Sequence, residues 1–293
     1  MRLPDFIGIG GQRCGSTTIW SMMRGDDRLF LPERKELHYF TDRDGEYRED
    51  LCNYGAYFEG ARGDQLVGEF TPNYLTSGGA CRRIMEHLPD VRLIVTLRDP
   101  VERAISLYTY RVARGMEVRS MGRAIRADMR RCVGGEEVVD RHHAYCQLGM
   151  FSDGVARYIE CFGRDSMLIL TMDMLRHDAE SVRARLARHL GLEGAIGRGD
   201  EGSGSGWANR STTTPRIKRL ERFAKGTLRA RRGSDGLIDR VACGVARRAV
   251  ALNQRAGSPR VPRGLREELR SFYKEDGLRL AALTGIALPW VDC

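Results

Sequence analysis

Phe6-Ile7-Gly8-Ile9-Gly10-Gly11-Gln12-Arg13-Cys14-Gly15-Ser16-Thr17-Thr18 decides how this chain is read. The apolar run Phe6 to Ile9 has the length of a short strand and ends in two glycines. A helical pattern follows from about Ser16 to Arg24. A strand that feeds a helix through a glycine-rich turn gathers unpaired backbone N–H groups and the positive end of a helix dipole around one point, where an anion binds. The glycines let backbone approach an oxyanion closely. Arg13 adds a fixed positive charge, and Ser16, Thr17 and Thr18 add hydroxyl donors. From Gly10 the spacing nearly spells the nucleotide-triphosphatase loop, but Ser16 stands where that loop needs a lysine to reach the β- and γ-phosphates.

Working outward, the next strong signal is Val91 to Leu97, an unbroken apolar run suited to a parallel strand covered on both faces. It delivers Arg98 to its C-terminal end, where open α/β sheets bind ligands. Asp99-Pro100 then opens a helix through about Arg114, with Ser106 two turns in, so that Arg98 and Ser106 are expected to face one anion. Leu66 to Glu69 and Met167 to Thr171 read as further strands; Thr76 to His87, Phe151 to Cys161 and Ala179 to Leu190 read as helices. This alternation predicts an α/β class: a P-loop-like central parallel sheet flanked by helices. Between the first two signals lies Arg34-Lys35-Glu36-Leu37-His38-Tyr39-Phe40. Strand-like alternation would place Glu36 and His38 on one face, a carboxylate beside an imidazole suited to proton abstraction.

The chain is read as one domain over 1–293: an α/β core to 192, a variable basic loop and helical region over 193–263, and a closing helix and tail over 264–293. The 293 residues suffice for a core without metals or disulfides. The eight cysteines are scattered, with no CxxC pair and no histidine cluster at ligand spacing, so reduced thiols and no metal are expected. No leader pattern occupies Met1 to Gly10 and no apolar run approaches a membrane span, which predicts a cytoplasmic protein. The net charge of +9 favours anionic ligands. It concentrates in Trp207 to Arg263, which carries 15 Lys and Arg against three acids.

FIGIGGQRCGSTTIW resembles the 5'-phosphosulfate loop of sulfotransferases that use 3'-phosphoadenosine 5'-phosphosulfate (PAPS), and LIVTLRDPVERAISLY resembles their 3'-phosphate element. KELHYF and GEFTPNY are similar to elements of the heparan sulfate sulfotransferase branch, and LREELRSFYKEDGLRLAALTGIALPW to its closing helix. The resemblance implies PAPS as co-substrate and PAP as product, with Arg13, Cys14, Gly15, Ser16, Thr17, Thr18, Arg98 and Ser106 on the nucleotide. It implies Glu36 as general base, with Lys35, His38 and Arg13 beside the transferred group and Glu36, His38 and Glu69 toward the acceptor. Asn209 and Arg210 are further candidate nucleotide contacts in a lid. Arg13 replaces the branch's usual lysine, and Phe70 replaces the lysine expected after Glu69. The acceptor is expected to be a small molecule, glycan or glycolipid, with no nucleic-acid partner. Two alternatives stay open at this stage: a P-loop kinase or nucleoside triphosphatase, and a basic nucleic-acid-binding protein.

Overall fold

A computed structural model describes residues 1–41, 47, 49–135, 143–197, 213–215, 217–230, 237–256 and 259–291. The chain divides into two compact units, each assembled from separate stretches of sequence. The first comprises Met1–Asp99, Met150–Ala208 and Lys274–Cys293; the second comprises Pro100–Gly149 and Asn209–Tyr273. The division does not follow the 192/193 boundary read from composition, because a unit is set by which segments pack, not by their order in the chain.

The first unit is built on five parallel strands: β1 (Phe6–Gly8), β2 (Leu29–Phe30), β3 (Leu66–Phe70), β4 (Arg92–Leu97) and β5 (Met167–Thr171), in the order β2-β3-β1-β4-β5. Gly8 stands opposite Phe70 on one side and Ile94 on the other, and Leu97 opposite Thr171. Alternate residues serve opposite faces. Ile7, Ile9, Leu93, Val95 and Ile169 join one core, with side chains of α3 (Ala80–His87) and α6 (Ser152–Phe162). Phe6, Ile94 and Leu170 join the other, with α1 (Ser16–Arg24), α7 (Met172–His177) and α8 (Ala179–Leu190). Two apolar faces explain why β4 reads as a continuous hydrophobic run. The strands expected at 6–9, 66–69, 91–97 and 167–171 and the helices at 16–24 and 179–190 stand. The helix expected from Thr76 starts at Ala80, because Gly78 and Gly79 precede it and favour a turn. The short α2 (Cys52–Gly55) gave no periodic signal in sequence.

The direction of the chain changes at the centre of this sheet. β1 leads toward β2 at one edge, whereas β4 leads toward β5 at the other. The crevice of such a sheet therefore opens beyond the C-terminal ends of β1 and β4.

The second unit contains α4 (Pro100–Ala113), α5 (Met121–Val133), α9 (Lys218–Ala230), α10 (Leu237–Leu252) and the antiparallel pair β6 (Thr213–Pro215) and β7 (Gln254–Ala256). Its fully buried Arg103 donates to the Tyr145 carbonyl. Asp128, also fully buried, accepts from Arg131 and from the backbone N–H groups of Cys146 and Gln147. Glu117 accepts from Arg119 at 2.6 Å and from the Tyr145 hydroxyl at 2.9 Å. These side chains pin the segment 143–147 that the sequence left unassigned. The closing helix α11 (Leu265–Thr284) forms where expected, and its Asp276 carboxylate accepts from Phe151 N, Ser152 N and Ser152 Oγ within the first unit.

Candidate active site at the sheet edge

The β1–α1 turn is shaped by close packing before any ligand is considered. A Cβ on Gly10 would lie 2.5 Å from Thr96 N, so β4 admits only glycine there. Gly15 holds φ +94°, and a Cβ on it would lie 2.5 Å from Met172 Sδ. Gly15 is also the N-cap of α1, which has no side-chain cap. A helix start left that way can take an anion in the cap's place. Cys14 is fully buried in the core, and its thiol braces the turn by donating to Gln12 O at 3.7 Å. Ser16 is buried, while Thr17 and Thr18 are half-buried beside it.

Four described residues other than glycine have positive φ, and three of them are site candidates: Arg13 at 69°, Glu36 at 64° and His38 at 60°. The left-handed region costs an L-residue about 1–2 kcal/mol. Each of the three has its own anchor. Arg98 Nη1 donates to Arg13 O at 3.3 Å, Glu36 N donates to Phe70 O at 3.1 Å, and His38 N donates to Thr71 Oγ1 at 3.2 Å.

Residues 35–38 therefore do not form the strand inferred from alternation; both Glu36 and His38 adopt the left-handed conformation. The two side chains still meet, with His38 Nε2 3.7 Å from Glu36 Oε2. Lys35 Nζ lies 3.1 Å from Glu36 Oε1 and donates to Ser16 Oγ at 3.3 Å. That bond joins the Lys35–His38 loop to the start of α1. Glu36 is the most open of the three, 39% exposed against 14% for Lys35 and for His38.

Glu69 lies beneath this loop. It is 2% exposed. Its Oε2 accepts from Thr71 Oγ1 at 2.8 Å and its Oε1 from Tyr54 OH at 3.3 Å. Burial pushes its carboxyl up to about 7, against the opposing pull of hydrogen bonds from Thr71, Tyr74 and Tyr54. Thr71 is the link that sequence reasoning missed: one hydroxyl donates to the buried carboxylate and accepts from His38 N. The Thr71-Pro72 step just past the end of β3 was the available signal.

Ser106 lies on α4, half-buried, in the second unit, whereas Arg98 belongs to the first. Asn209 and Arg210 fall outside the described residues. Among the described residues no cluster of His, Cys, Asp and Glu could hold a metal ion.

Residues 81–201 match the family model described as a sulfotransferase domain. Over that stretch the chain is similar to sulfotransferases. The matched stretch starts at α3 and includes β4 and Arg98, while the phosphate-type turn at 10–18 lies before it. Among curated relatives, the membrane-associated sulfotransferase kil1 of Dictyostelium discoideum is 31% identical over 113 residues, 38% of this chain and 23% of that protein. Heparan sulfate glucosamine 3-O-sulfotransferase 3B1 of Mus musculus is 27% identical over 67% of this chain and 48% of its own length. Heparan sulfate glucosamine 3-O-sulfotransferase 6 of Homo sapiens is 25% identical over 98% of this chain and 77% of its own. The chain thus spans from about a quarter to a half of the first two relatives. The crystal structure of a sulfotransferase from Alicyclobacillus acidocaldarius superposes with a TM-score of 0.69 at 21% identity, covering 99% of both chains, and shares the fold.

Proposed function

We propose that the chain moves a sulfuryl group from PAPS to a hydroxyl of a small-molecule, glycan or glycolipid acceptor, releasing PAP. The observation that carries this reading is the Lys35–Ser16 bond, which brings a proton acceptor, a cation and an uncapped helix start together at one sheet edge. The donor set suits a bridging phosphosulfate: backbone N–H groups at the start of α1, Ser16, Lys35 and Arg13 are all suited to hold anionic oxygens. Arg98, at the end of β4, suits the nucleotide's 3'-phosphate.

In this reading the acceptor oxygen bonds to sulfur as the sulfur–oxygen bond to the leaving 5'-phosphate breaks in line. Glu36 takes the hydroxyl proton. Lys35, 3.1 Å from that carboxylate, holds negative charge on the transferred group and steadies Glu36. His38 orients Glu36 from the other side, and Arg13 adds electrostatic stabilisation. Because Glu69 is buried, we assign it to positioning the loop and not to touching the acceptor. We place this chemistry in the cytoplasm, which suits the free thiols of the described cysteines.

Calorimetric titration with PAP, followed by transfer assays with labelled donor, tests the proposal. Glu36→Gln should bind PAP normally and lose about 10²–10⁴-fold in turnover. Near-normal turnover in that variant removes Glu36 from the role of base, and absence of PAP binding in the unaltered protein removes the nucleotide reading altogether.

A further inference from the structure

The second unit leaves one charged and apolar surface without a use in sulfuryl transfer. On α9, Phe223 is 76% exposed and Leu220 40% exposed, three residues apart on the helix surface. On α10, Val245 is 66% and Leu252 72% exposed, seven residues apart and therefore on one side of that helix. The two helices pack on each other. Asn253 fixes their register by accepting from Ile217 N at 2.8 Å and donating to Ile217 O at 2.9 Å. Seven residues up each antiparallel helix, Ala224 and Ala246 come level, and both are buried. Phe223 and Val245 are the residues that precede this buried pair, and both stand out in solvent.

Among the described side chains of these two helices, the exposed charges have one sign. Arg219, Arg222 and Arg248 are exposed. The sole acid of α9, Glu221, is fully buried and neutralised by Lys225 at 2.7 Å, with a further hydrogen bond from Asn253. The exposed side of α9 thus presents arginines and large apolar side chains with no carboxylate. Nucleic acid would use the arginines and leave Phe223 and Leu220 idle. A bilayer with anionic headgroups uses both: apolar side chains enter the boundary of the acyl region, and arginines meet the phosphates.

We infer that the α9–α10 hairpin is a peripheral docking surface for an anionic lipid bilayer. No helix among the described residues is long and apolar enough to cross a membrane, and this surface needs none. The inference does not depend on the nucleotide reading.

The test is co-sedimentation of the full chain with vesicles of phosphatidylcholine alone and with 30% phosphatidylglycerol. At roughly fivefold per exposed arginine, three arginines give binding on the order of 100-fold tighter to the anionic vesicles, weakening as salt is raised. Phe223→Gln with Leu220→Gln keeps good helix formers and should weaken binding at least tenfold. Arg219→Gln with Arg222→Gln should erase most of the preference for anionic lipid. Circular dichroism melts and PAP titration of each pair show whether the fold survives. No sedimentation with anionic vesicles overturns the inference. So does sedimentation that the apolar pair leaves unchanged, since charge alone then accounts for it. Equal affinity for duplex nucleic acid at the same salt, insensitive to the apolar pair, assigns the surface to nucleic acid and overturns it. A concentration-dependent dimer that the apolar pair dissolves, without vesicle binding, assigns the face to a second copy and overturns it equally.

Discussion

Replacing Glu69 with glutamine should remove a pH dependence of stability that this one carboxyl creates. In the folded protein, burial raises its pKa from 4.5 to about 7. The native state therefore binds the proton more tightly than the unfolded chain does. Its stabilising contribution is fully present below about pH 4.5 and is lost as pH rises through about 7. At 1.36 kcal/mol per unit, the loss across that window is about 3 kcal/mol. Glutamine fits the same place. Its carbonyl accepts from Tyr54 OH, and its amide donates to Thr71 Oγ1, which goes on accepting from His38 N. Urea unfolding at half-unit steps from pH 5 to pH 8 is the assay. The unaltered protein should lose stability steadily toward pH 8, and Glu69→Gln should lose about 3 kcal/mol less over the same range. Equal slopes in the two proteins would refute the reasoning, because the titrating group in that window would then lie elsewhere. The carboxylates that titrate below this window, such as Asp26, which the Arg28 guanidinium holds down at about 2, act at the acid end and do not blur the comparison.

Gly15→Ala should destabilise the protein by about 2–4 kcal/mol, through the left-handed backbone and the clash with Met172, and should abolish PAP binding, checked by chemical unfolding and calorimetry. Arg98→Ala should weaken PAP about 10–100-fold by calorimetry, the loss expected of a charge-assisted bond, with the fold intact by circular dichroism. Asp276→Ala should cost about 3 kcal/mol, because three donors of α6's first turn lose their acceptor; Asp276→Asn should cost less, and thermal melts rank the two.

The β1–α1 turn could be read in advance because everything it needs is local: a strand, a permissive backbone and a helix start occur within thirteen residues. The same is true of β4, whose two buried faces impose an apolar run, and of Arg98 at its end. The Lys35–His38 loop was legible in chemistry but not in shape. Alternation suggested a strand, yet the pairing of Glu36 and His38 comes from two left-handed residues that Phe70 O and Thr71 Oγ1 hold in place. Neither anchor is near them in the chain.

The amino-acid order alone thus determined the parallel α/β plan, the anion-suited turn and the list of residues able to do the chemistry, since these follow from short-range periodicity and residue type. Tertiary structure alone decided that Lys35 reaches Ser16 across nineteen positions, that Glu69 is sealed from solvent and holds its proton near neutrality, and that the α9–α10 hairpin presents only arginines and apolar groups on the exposed side of α9. Distance, burial and local dielectric depend on which distant segments pack together, and pattern along a chain does not encode that packing in readable form.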